Sequence, residues 1–428
     1  MNFYKVGFLS GLFSVVNLIT GLVITKITAS LIGPVGTAYI GTFANITGMI
    51  LVVATASIGT GIVRYVAQYR DDEVMLKKVV NTASGMILTG SVIASLFVFI
   101  SFQWLNDRAF EDRDFGNVFL LYGLFLVIIA MQVLITGMLN GLGEIKWLTA
   151  VNIAASLLNL MFTVVFILRY DIAGALFSNS LFGIFTTLTG VLALYKLKLL
   201  RKDFFRPVIH RELAIGLVKY GLFAAITTFS WMASMLLIRN YVQQQLSVEE
   251  AGLWQAMFSL SDRYMNVIIN VLIVYFLPRL SEIRETAELV REIRKGFKRI
   301  VPLMILISGS IWLCRDLIIT ILLAESFRPM RDLFAFQMIG DVFRITALLL
   351  AYLIASRAMF RSGLKADLGF HISLVASSWW LINRYGLIGA TYAYAMSTVI
   401  YLMFNLYIFK DLMVLIKKSV LPKPWIRI

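Results

Sequence analysis

The stretch FSLSDRYMNVIINVLIVYFLPRL, residues 258–280, is long enough to form a membrane-spanning helix and consists mostly of apolar residues. An acid and a base, Asp262 and Arg263, stand near its start. A charge at membrane depth is costly unless water or a partner compensates it. The stretch therefore indicates a membrane helix, and its two charges indicate where function is to be sought.

Apolar blocks like this one recur along the whole chain. Of its 428 residues, 59% are hydrophobic, and the mean hydropathy is +0.83. The blocks are roughly 20 to 30 residues long, and short charged stretches separate them. A soluble protein of this size could not bury so much apolar surface, and barrel strands would be about ten residues long with alternating polarity. The sequence predicts an all-α, polytopic membrane protein.

The hydropathy pattern predicts twelve transmembrane helices in two six-helix lobes around a central cavity. The N-terminal lobe is predicted to be 1–200 and the C-terminal lobe 201–428, with a linker at about 196–211. No small-residue cleavage site follows the first apolar run, which is therefore interpreted as a retained helix. The predicted spans are 8–32, 38–63, 79–102, 116–140, 147–168, 172–195, 213–238, 250–278, 300–323, 333–356, 364–383 and 386–409.

The two halves of the sequence resemble each other. RYDIAGA at 169–175 recurs as RYGLIGA at 384–390, an offset of 215, and RDF at 113–115 matches RDL at 331–333 at an offset of 218. Several matches in order at nearly one offset indicate a duplicated six-helix unit whose copies share one orientation. Because substrate lies between the halves of such proteins, the repeat predicts a transporter. Two single-residue matches at the first offset are Phe43 with Phe258 and Arg64 with Arg279.

Lys and Arg are distributed unevenly between two alternating sets of loops. One set carries about 27 of them and the other about eight, with Arg113 and Arg239 in the smaller set. Basic loops stay in the cytoplasm, so both termini are predicted to be cytoplasmic. The same asymmetry accounts for the net charge of +15, which favours contact with anionic lipid over binding of nucleic acid. The loop 279–299 has the spacing of an amphipathic helix at the cytoplasmic interface.

The chain lacks the sequence features of an enzyme. No predicted loop exceeds about 22 residues, which leaves no room for a soluble catalytic domain. A membrane-embedded polysaccharide polymerase or ligase would carry a large periplasmic loop. There is no nucleophile–base constellation, metal-ligand spacing or phosphate-binding loop, and the single cysteine, Cys314, excludes an internal disulfide. We expect a transporter with no cofactor and no metal.

Five polar residues lie on one face of the eighth predicted helix. They follow one another at steps of four, three, four and four, while Arg263 points about 100° away. Lipid would leave such a face unsatisfied, so a water-filled cavity is expected beside it. A hydrogen-bonding seam between helices uses the same residue types and is the alternative, although Asp262 favours the cavity. The residues are Gln255, Ser259, Asp262, Asn266 and Asn270.

Other charges also fall inside predicted spans. In the tenth span Gln337, Asp341 and Arg344 share a face, and Gln337 is predicted to line the cavity together with the polar stripe of the eighth helix. Pairing of Asp341 with Arg344 is the structural alternative to a functional role. Lys26 in the first span can face a polar path or extend to the interface. Arg64 near the cytoplasmic end of the second span has the same two interpretations.

These positions occur in motifs that resemble one family. The segments AGLWQAMFSLSDRYMNVIINVLIVYFLPRLSEI (251–283) and MRDLFAFQMIGDVFRI (330–345) resemble the seventh-to-eighth and tenth helix regions of Wzx-type flippases. RYVAQYRDD (64–72) and ITKITASLIGPVG (24–36) are similar to the same family, most of all to its enterobacterial common antigen branch. The resemblance runs from the first predicted helix to the last.

The resemblance implies membership of the multidrug/oligosaccharidyl-lipid/polysaccharide exporter superfamily. It implies a flippase that moves undecaprenyl-pyrophosphate-linked oligosaccharide, either an O-antigen repeat or lipid III, by alternating access. The transport direction would be from the cytoplasmic to the periplasmic leaflet of the bacterial inner membrane. A multidrug or cation antiporter of the same superfamily is the alternative, and Arg263 has no counterpart in the motif. The matching positions are Lys26, Arg64, Asp262, Asp341 and Arg344, the last standing where the family tends to have Lys.

The chemistry of such a substrate agrees with these residues. Its polyprenyl tail, at about 0.8 kcal/mol per buried CH₂, stays in the bilayer, so only the anionic head group needs a polar path. Lys26, Arg64, Arg263 and Arg344 are predicted to supply the cations of that path. Asp262 and Asp341 are predicted to bind a coupling proton or sodium ion. Further predicted partners are membrane lipid and the polysaccharide polymerase with its chain-length machinery.

Overall fold

The computed structural model describes residues 3–110, 113–200, 205–357 and 359–410, and these ranges are helical with no strand. This confirms the all-α prediction. The helices are α1 (Phe3–Ala54), α2 (Gly59–Gln68), α3 (Glu73–Phe110), α4 (Gly116–Gly141), α5 (Ile145–Lys196), α6 (Arg211–Gln245), α7 (Val248–Val271), α8 (Leu277–Glu282), α9 (Thr286–Leu313), α10 (Arg315–Leu322), α11 (Phe334–Ser356), α12 (Phe360–Tyr385) and α13 (Ile388–Ile408). A π-helical turn (Leu272–Phe276) joins α7 to α8, and a 3₁₀ segment (Glu325–Leu333) precedes α11.

Seven helices in the described ranges are long and apolar enough to cross a membrane. Two of them, α1 and α5, are 52 residues long and broken in the middle, at Gly33 and Asp171. Each therefore contains two of the predicted spans, so the seven helices account for nine spans. The helices α7, α12 and α13 cover the other three of the twelve predicted spans. Large apolar side chains such as Ile100 and Ile372 are exposed along these helices, as lipid-facing residues are. The chain is a multi-pass membrane protein.

The segment before the ninth span differs from its sequence prediction. The amphipathic residues 279–299 are expected to form a separate interfacial helix, but Thr286 to Arg299 form the first half of α9, which continues unbroken to Leu313. The reason is a continuous apolar stripe. Leu289 and Ile293 are buried with Leu349 of α11, and Ile300 extends the same stripe into the span.

The chain divides into two compact units, Met1–Leu236 and Leu237–Ile428. Residues of α2, α3, α4 and α6, among them Ile62 and Leu217, share the core of the first unit. Residues of α8, α9 and α11 share a core in the second. The division falls inside α6, whose first part packs on α2, with the guanidinium of Arg64 4.3 Å from the ring centre of Tyr220. The predicted lobe limits, 1–200 and 201–428, stay a prediction.

The backbone repeats at the offset found in the sequence. Asp171 breaks α5 with φ 52° and ψ −129°, and Gly386, 215 residues later, follows α12 with φ 63° and ψ −149°. A Cβ on Gly174 would lie 2.0 Å from the carbonyl oxygen of Phe166. A Cβ on Gly389 would lie 2.2 Å from that of Leu381, again at the same offset. Both bends are built alike, which supports duplication of a common unit.

This bend predicts opposite effects of two substitutions. A side chain at such a positive φ costs about 1 kcal/mol or more, so we expect Gly386→Ala to lower the free energy of unfolding by about that amount. Asp171→Gly removes the same strain and is expected to leave stability equal or slightly higher. Gly309→Ala, at an α9 position with open space around it, is the matched control. Thermal melting in detergent measures all three, and an equal loss in Gly386→Ala and Gly309→Ala would contradict the bend's conformation.

Candidate functional site

Asp341 is the centre of a buried hydrogen-bond network in the second unit. Its carboxylate accepts hydrogen bonds from the hydroxyls of Ser261 (2.5 Å) and Tyr264 on α7 and of Tyr394 (2.7 Å) on α13. Gln337 donates to the Ser261 hydroxyl at 3.3 Å. Asp341, Gln337 and Tyr394 are fully buried. The network therefore holds three helices together and satisfies a carboxylate that lipid or a dry core would otherwise disfavour.

Asp262, the neighbour of Ser261, has a different environment. Its Oδ1 lies 3.4 Å from Nη1 of Arg344, and the two side chains are 41% and 18% exposed, respectively. Arg344 thus forms its ion pair across two helices, with Asp262 of α7. Spacing along α11 suggests Asp341 as its partner, but the oxygens of Asp341 are used by hydroxyl groups. The unit contains one buried acid with full hydrogen bonding and one accessible acid paired with an arginine.

The polar stripe of α7 lies on the surface of the structure rather than in a core. Gln255 and Ser259 are half-buried and joined by a 3.0 Å hydrogen bond, and Asn266 and Asn270 are exposed. The exposed amide of Asn266, at membrane depth, needs water, because lipid offers no hydrogen-bond partner. The exposure favours a water-facing stripe over a closed helix–helix seam. Gln337, grouped with the stripe in the sequence prediction, lies in the buried Asp341 network instead.

A buried arginine lies at the beginning of this stripe. Arg239 of α6 is 2% exposed, donates a hydrogen bond from Nη2 to Oε1 of Gln255, and lies 5.9 Å from the ring centre of Trp254. Hydropathy places Arg239 in a loop, because the apolar run ends at Ile238. The polar continuation to Gln245 has no Gly or Pro, however, and the helix includes it. The lack of a helix breaker before Ser247 is the signal that could have placed Arg239 inside the helix.

The remaining predicted cations fall in different places. Arg263 is half-buried, and its Nε is buried with no hydrogen-bond partner among the described residues. It lies close enough to Asp262 for an electrostatic interaction. Lys26 is half-buried on α1 and Arg64 exposed on α2, both in the first unit. The second unit therefore brings Asp262, Arg263 and Arg344 together. The described ranges contain no group of three His, Cys, Asp or Glu side chains that could hold a metal.

Solved structures with the same fold are membrane transporters. An inward-facing multidrug-resistance transporter of the MOP superfamily aligns with a TM-score of 0.74 at 14% identity, covering 95% of this chain and 99% of that one. A MOP-superfamily transporter from Pyrococcus furiosus, described as having a binding pocket of reverse polarity, aligns with a TM-score of 0.65 at 14% identity, covering 97% and 96%. At these identities the likeness shows the fold, which is that of the MOP-superfamily transporters.

Sequence comparison defines the family within that fold. The family model described as polysaccharide biosynthesis protein matches residues 5–284, more than half of the chain. The lipid III flippase of Escherichia coli K12 is 30% identical over 381 residues, which cover 89% of this chain and 92% of that protein. The lipid III flippase of Shigella flexneri matches with the same figures. The chain belongs to the polysaccharide biosynthesis protein family and is a transporter rather than an enzyme.

Proposed function

We propose that this chain is a flippase that moves a polyprenyl-pyrophosphate-linked oligosaccharide from the cytoplasmic to the periplasmic leaflet of the bacterial inner membrane. The observation that carries the proposal is the 30% identity over 92% of the length of a protein named lipid III flippase. Lipid III is therefore the first substrate to test, and an O-antigen repeat is the second. The polymerase and chain-length machinery that would use the flipped glycan are proposed partners.

The exposed polar face of α7 suits the head group of such a lipid. Arg344 presents a guanidinium beside it, and Arg263 adds a second cation. Guanidinium groups bind phosphate oxygens through paired hydrogen bonds, whereas the polar amides of Asn266 and Asn270 suit sugar hydroxyls. The tail needs only lipid. We assign Lys26 and Arg64 to the cationic path as well, on the strength of the family motif.

A complementation experiment tests the proposal. Expressed in E. coli lacking its lipid III flippase, the chain is expected to restore the surface polysaccharide assembled from lipid III. A strain lacking its O-antigen flippase, tested in parallel, distinguishes the two glycans. Failure to restore either strain at normal abundance of the membrane-inserted protein would contradict the proposed function.

A multidrug or cation antiporter is the second candidate, because the fold likeness to a multidrug transporter is high. Such a protein would bind a positively charged drug and needs an acidic or aromatic surface for it. Three arginines lie on or beside the α7 stripe: Arg263 on α7 itself, the partly exposed Arg344 on α11 and the buried Arg239 on α6. This cationic character favours an anionic cargo. Transport of ethidium in vesicles, with no transport of lipid-linked glycan, would favour the antiporter.

Asp262 is our proposed site for the coupling ion. Asp262 is partly exposed, whereas Asp341 is fully buried. A carboxylate at the position of Asp262 needs a cation, a proton or water beside it. We expect Asp262→Asn to abolish glycan transport driven by a pH gradient while passive exchange persists, because the amide keeps the shape and cannot titrate. Proton flux in proteoliposomes measures this, with Asp332→Asn, at an exposed acid outside the α7 stripe, as the control. A full proton signal from Asp262→Asn would show that coupling resides elsewhere.

The proposed orientation, with both termini in the cytoplasm, predicts a labelling pattern. In a Cys314→Ser background, Arg113→Cys is expected to react with an impermeant thiol reagent on intact spheroplasts, and Lys198→Cys only after lysis. Both positions are exposed in the structure, so accessibility differs only by side of the membrane. Labelling in the reverse order would overturn the orientation inferred from loop charge.

A further inference from the structure

The ion pair between Asp262 and Arg344 is loosely made. Its Nη1–Oδ1 distance of 3.4 Å is longer than the roughly 2.7 to 2.9 Å of a strong charge-assisted hydrogen bond. The Asp262 side chain is also 41% exposed. Asp341, one turn before Arg344 on α11, shows that this unit can satisfy a carboxylate fully, with three hydroxyl donors and complete burial. The two acids are therefore built for different purposes, one fixed and one replaceable.

An arginine at membrane depth needs an anion whether or not a cargo is bound. Asp262 supplies the ion-paired anion in this structure, and Asp341 on the same helix as Arg344 adds a weaker electrostatic interaction. Two oxygens of a pyrophosphate can engage a guanidinium side by side and at shorter distance than the single Asp262 oxygen does. A head group reaching Arg344 would therefore compete with Asp262 for the same donors.

We propose that Asp262 is a stand-in anion on Arg344, and that the pyrophosphate of the lipid-linked cargo displaces it. This inference rests on the proposed function, because it names the atoms that would receive that cargo's head group. Exchange of one anion for another keeps the arginine neutralised in both the empty and the loaded states. It also allows Asp262, the proposed coupling-ion site, to lie beside an anionic substrate without preventing that substrate from binding Arg344.

Arg263 provides a place for the displaced carboxylate. It follows Asp262 directly, interacts with it electrostatically, and has a buried Nε with no hydrogen-bond partner among the described residues. When Asp262 leaves Arg344, it can move toward this second guanidinium without entering lipid as an unpaired charge. Asp262 would therefore pair with Arg344 when no cargo is bound and with Arg263 when the pyrophosphate occupies Arg344.

Binding of inorganic pyrophosphate to the purified protein in nanodiscs tests the exchange, with inorganic phosphate as the weaker comparison. If Asp262 occupies Arg344 in nine of ten empty molecules, Asp262→Asn should tighten pyrophosphate binding about tenfold, because the competitor is gone. Arg344→Gln should weaken it by about tenfold or more. Asp316→Asn is the matched control, since Asp316 pairs with Arg331 at 2.6 Å elsewhere in the unit and carries the same charge.

The variants separate the possible outcomes. Unchanged or weaker binding by Asp262→Asn, or equal tightening by Asp316→Asn, would overturn the exchange. Arg263→Gln is expected to weaken pyrophosphate binding while the melting temperature stays near that of the wild type. Unchanged pyrophosphate binding would show that Arg263 does not receive the displaced carboxylate. If complementation fails but the exchange holds, the site serves another pyrophosphate-bearing cargo. If complementation succeeds but Asp262→Asn does not tighten binding, the function stands and the exchange is wrong.

Discussion

Arg344→Ala is expected to abolish transport of lipid-linked glycan, whereas Arg344→Lys is expected to retain a substantial part of it. Loss of charge-assisted contacts to a phosphate costs about 2 to 3 kcal/mol, which corresponds to a roughly 30- to 150-fold loss of transport. Lysine keeps the point charge without the paired contacts. Surface glycan in the complementation strain, normalised to protein abundance, measures both variants.

A double variant decides what Arg344 does. If its only task were to neutralise Asp262, the combination of Arg344→Ala and Asp262→Asn would regain passive exchange of the glycan in proteoliposomes, because neither charge would remain and Asp262→Asn alone is expected to keep that exchange. If Arg344 binds the head group, the double variant stays as inactive as Arg344→Ala. Arg344→Ala leaves Asp262 unpaired. Because Asp262 is partly exposed, water can solvate its carboxylate, so this variant need not unfold.

The largest effect on stability is expected from Asp341→Ala. Three hydroxyl groups, those of the buried Ser261 and Tyr394 and of the half-buried Tyr264, would lose their common acceptor, and each buried polar group left unsatisfied costs about 1 to 3 kcal/mol. Partial rearrangement lowers the sum, so we expect a loss of about 3 to 5 kcal/mol and low protein abundance. Asp341→Asn keeps the shape and one acceptor oxygen and should lose about half as much.

Asp332→Ala, an exposed acid in the 3₁₀ segment before α11, is the control and is expected to melt with the wild type. Thermal melting in detergent and abundance in the membrane measure the three variants together. A normal melting temperature for Asp341→Ala would show that the hydroxyl network does not hold α7, α11 and α13 together. Ion coupling, the role predicted for Asp341 from the sequence, would then be the role left to test.

Hydropathy predicts the fold because the physical requirement of a membrane is local. Each span needs about 20 apolar residues, and the predicted gaps at 32–38 and 168–172 coincide with the breaks at Gly33 and Asp171. Hydropathy does not show whether a gap is a loop or a bend in one helix. It also ends the seventh span at Ile238, although α6 continues through polar residues to Gln245. Residues 239–245 stay helical because they contain no helix breaker, and a criterion based on apolar runs does not detect this.

The candidate site is less predictable because its contacts join different helices. Spacing of three and four residues places Asp262 in the polar stripe of α7 and Asp341 beside Arg344 on α11, because each of these relations lies within a single helix. The pairing of Arg344 with Asp262 and the hydroxyl shell around Asp341 depend on how α7, α11 and α13 pack. Ser261, Tyr264 and Tyr394 give no sequence signal, because serine and tyrosine occur throughout membrane helices. Sequence therefore identifies the charged residues and leaves their partners open.

A reconstituted flipping assay shows directly whether this chain moves a lipid-linked glycan across a bilayer and whether Arg344 is needed for that movement. Purified protein is placed in liposomes with a fluorescent polyprenyl-pyrophosphate-linked glycan, and quenching from outside reports the fraction in the outer leaflet. We predict that wild-type protein brings the inner-leaflet lipid to the quencher while Arg344→Ala, inserted at equal density, does not. Quenching by wild-type liposomes that equals that of protein-free liposomes, in a preparation that still transports a cationic dye, would contradict the account.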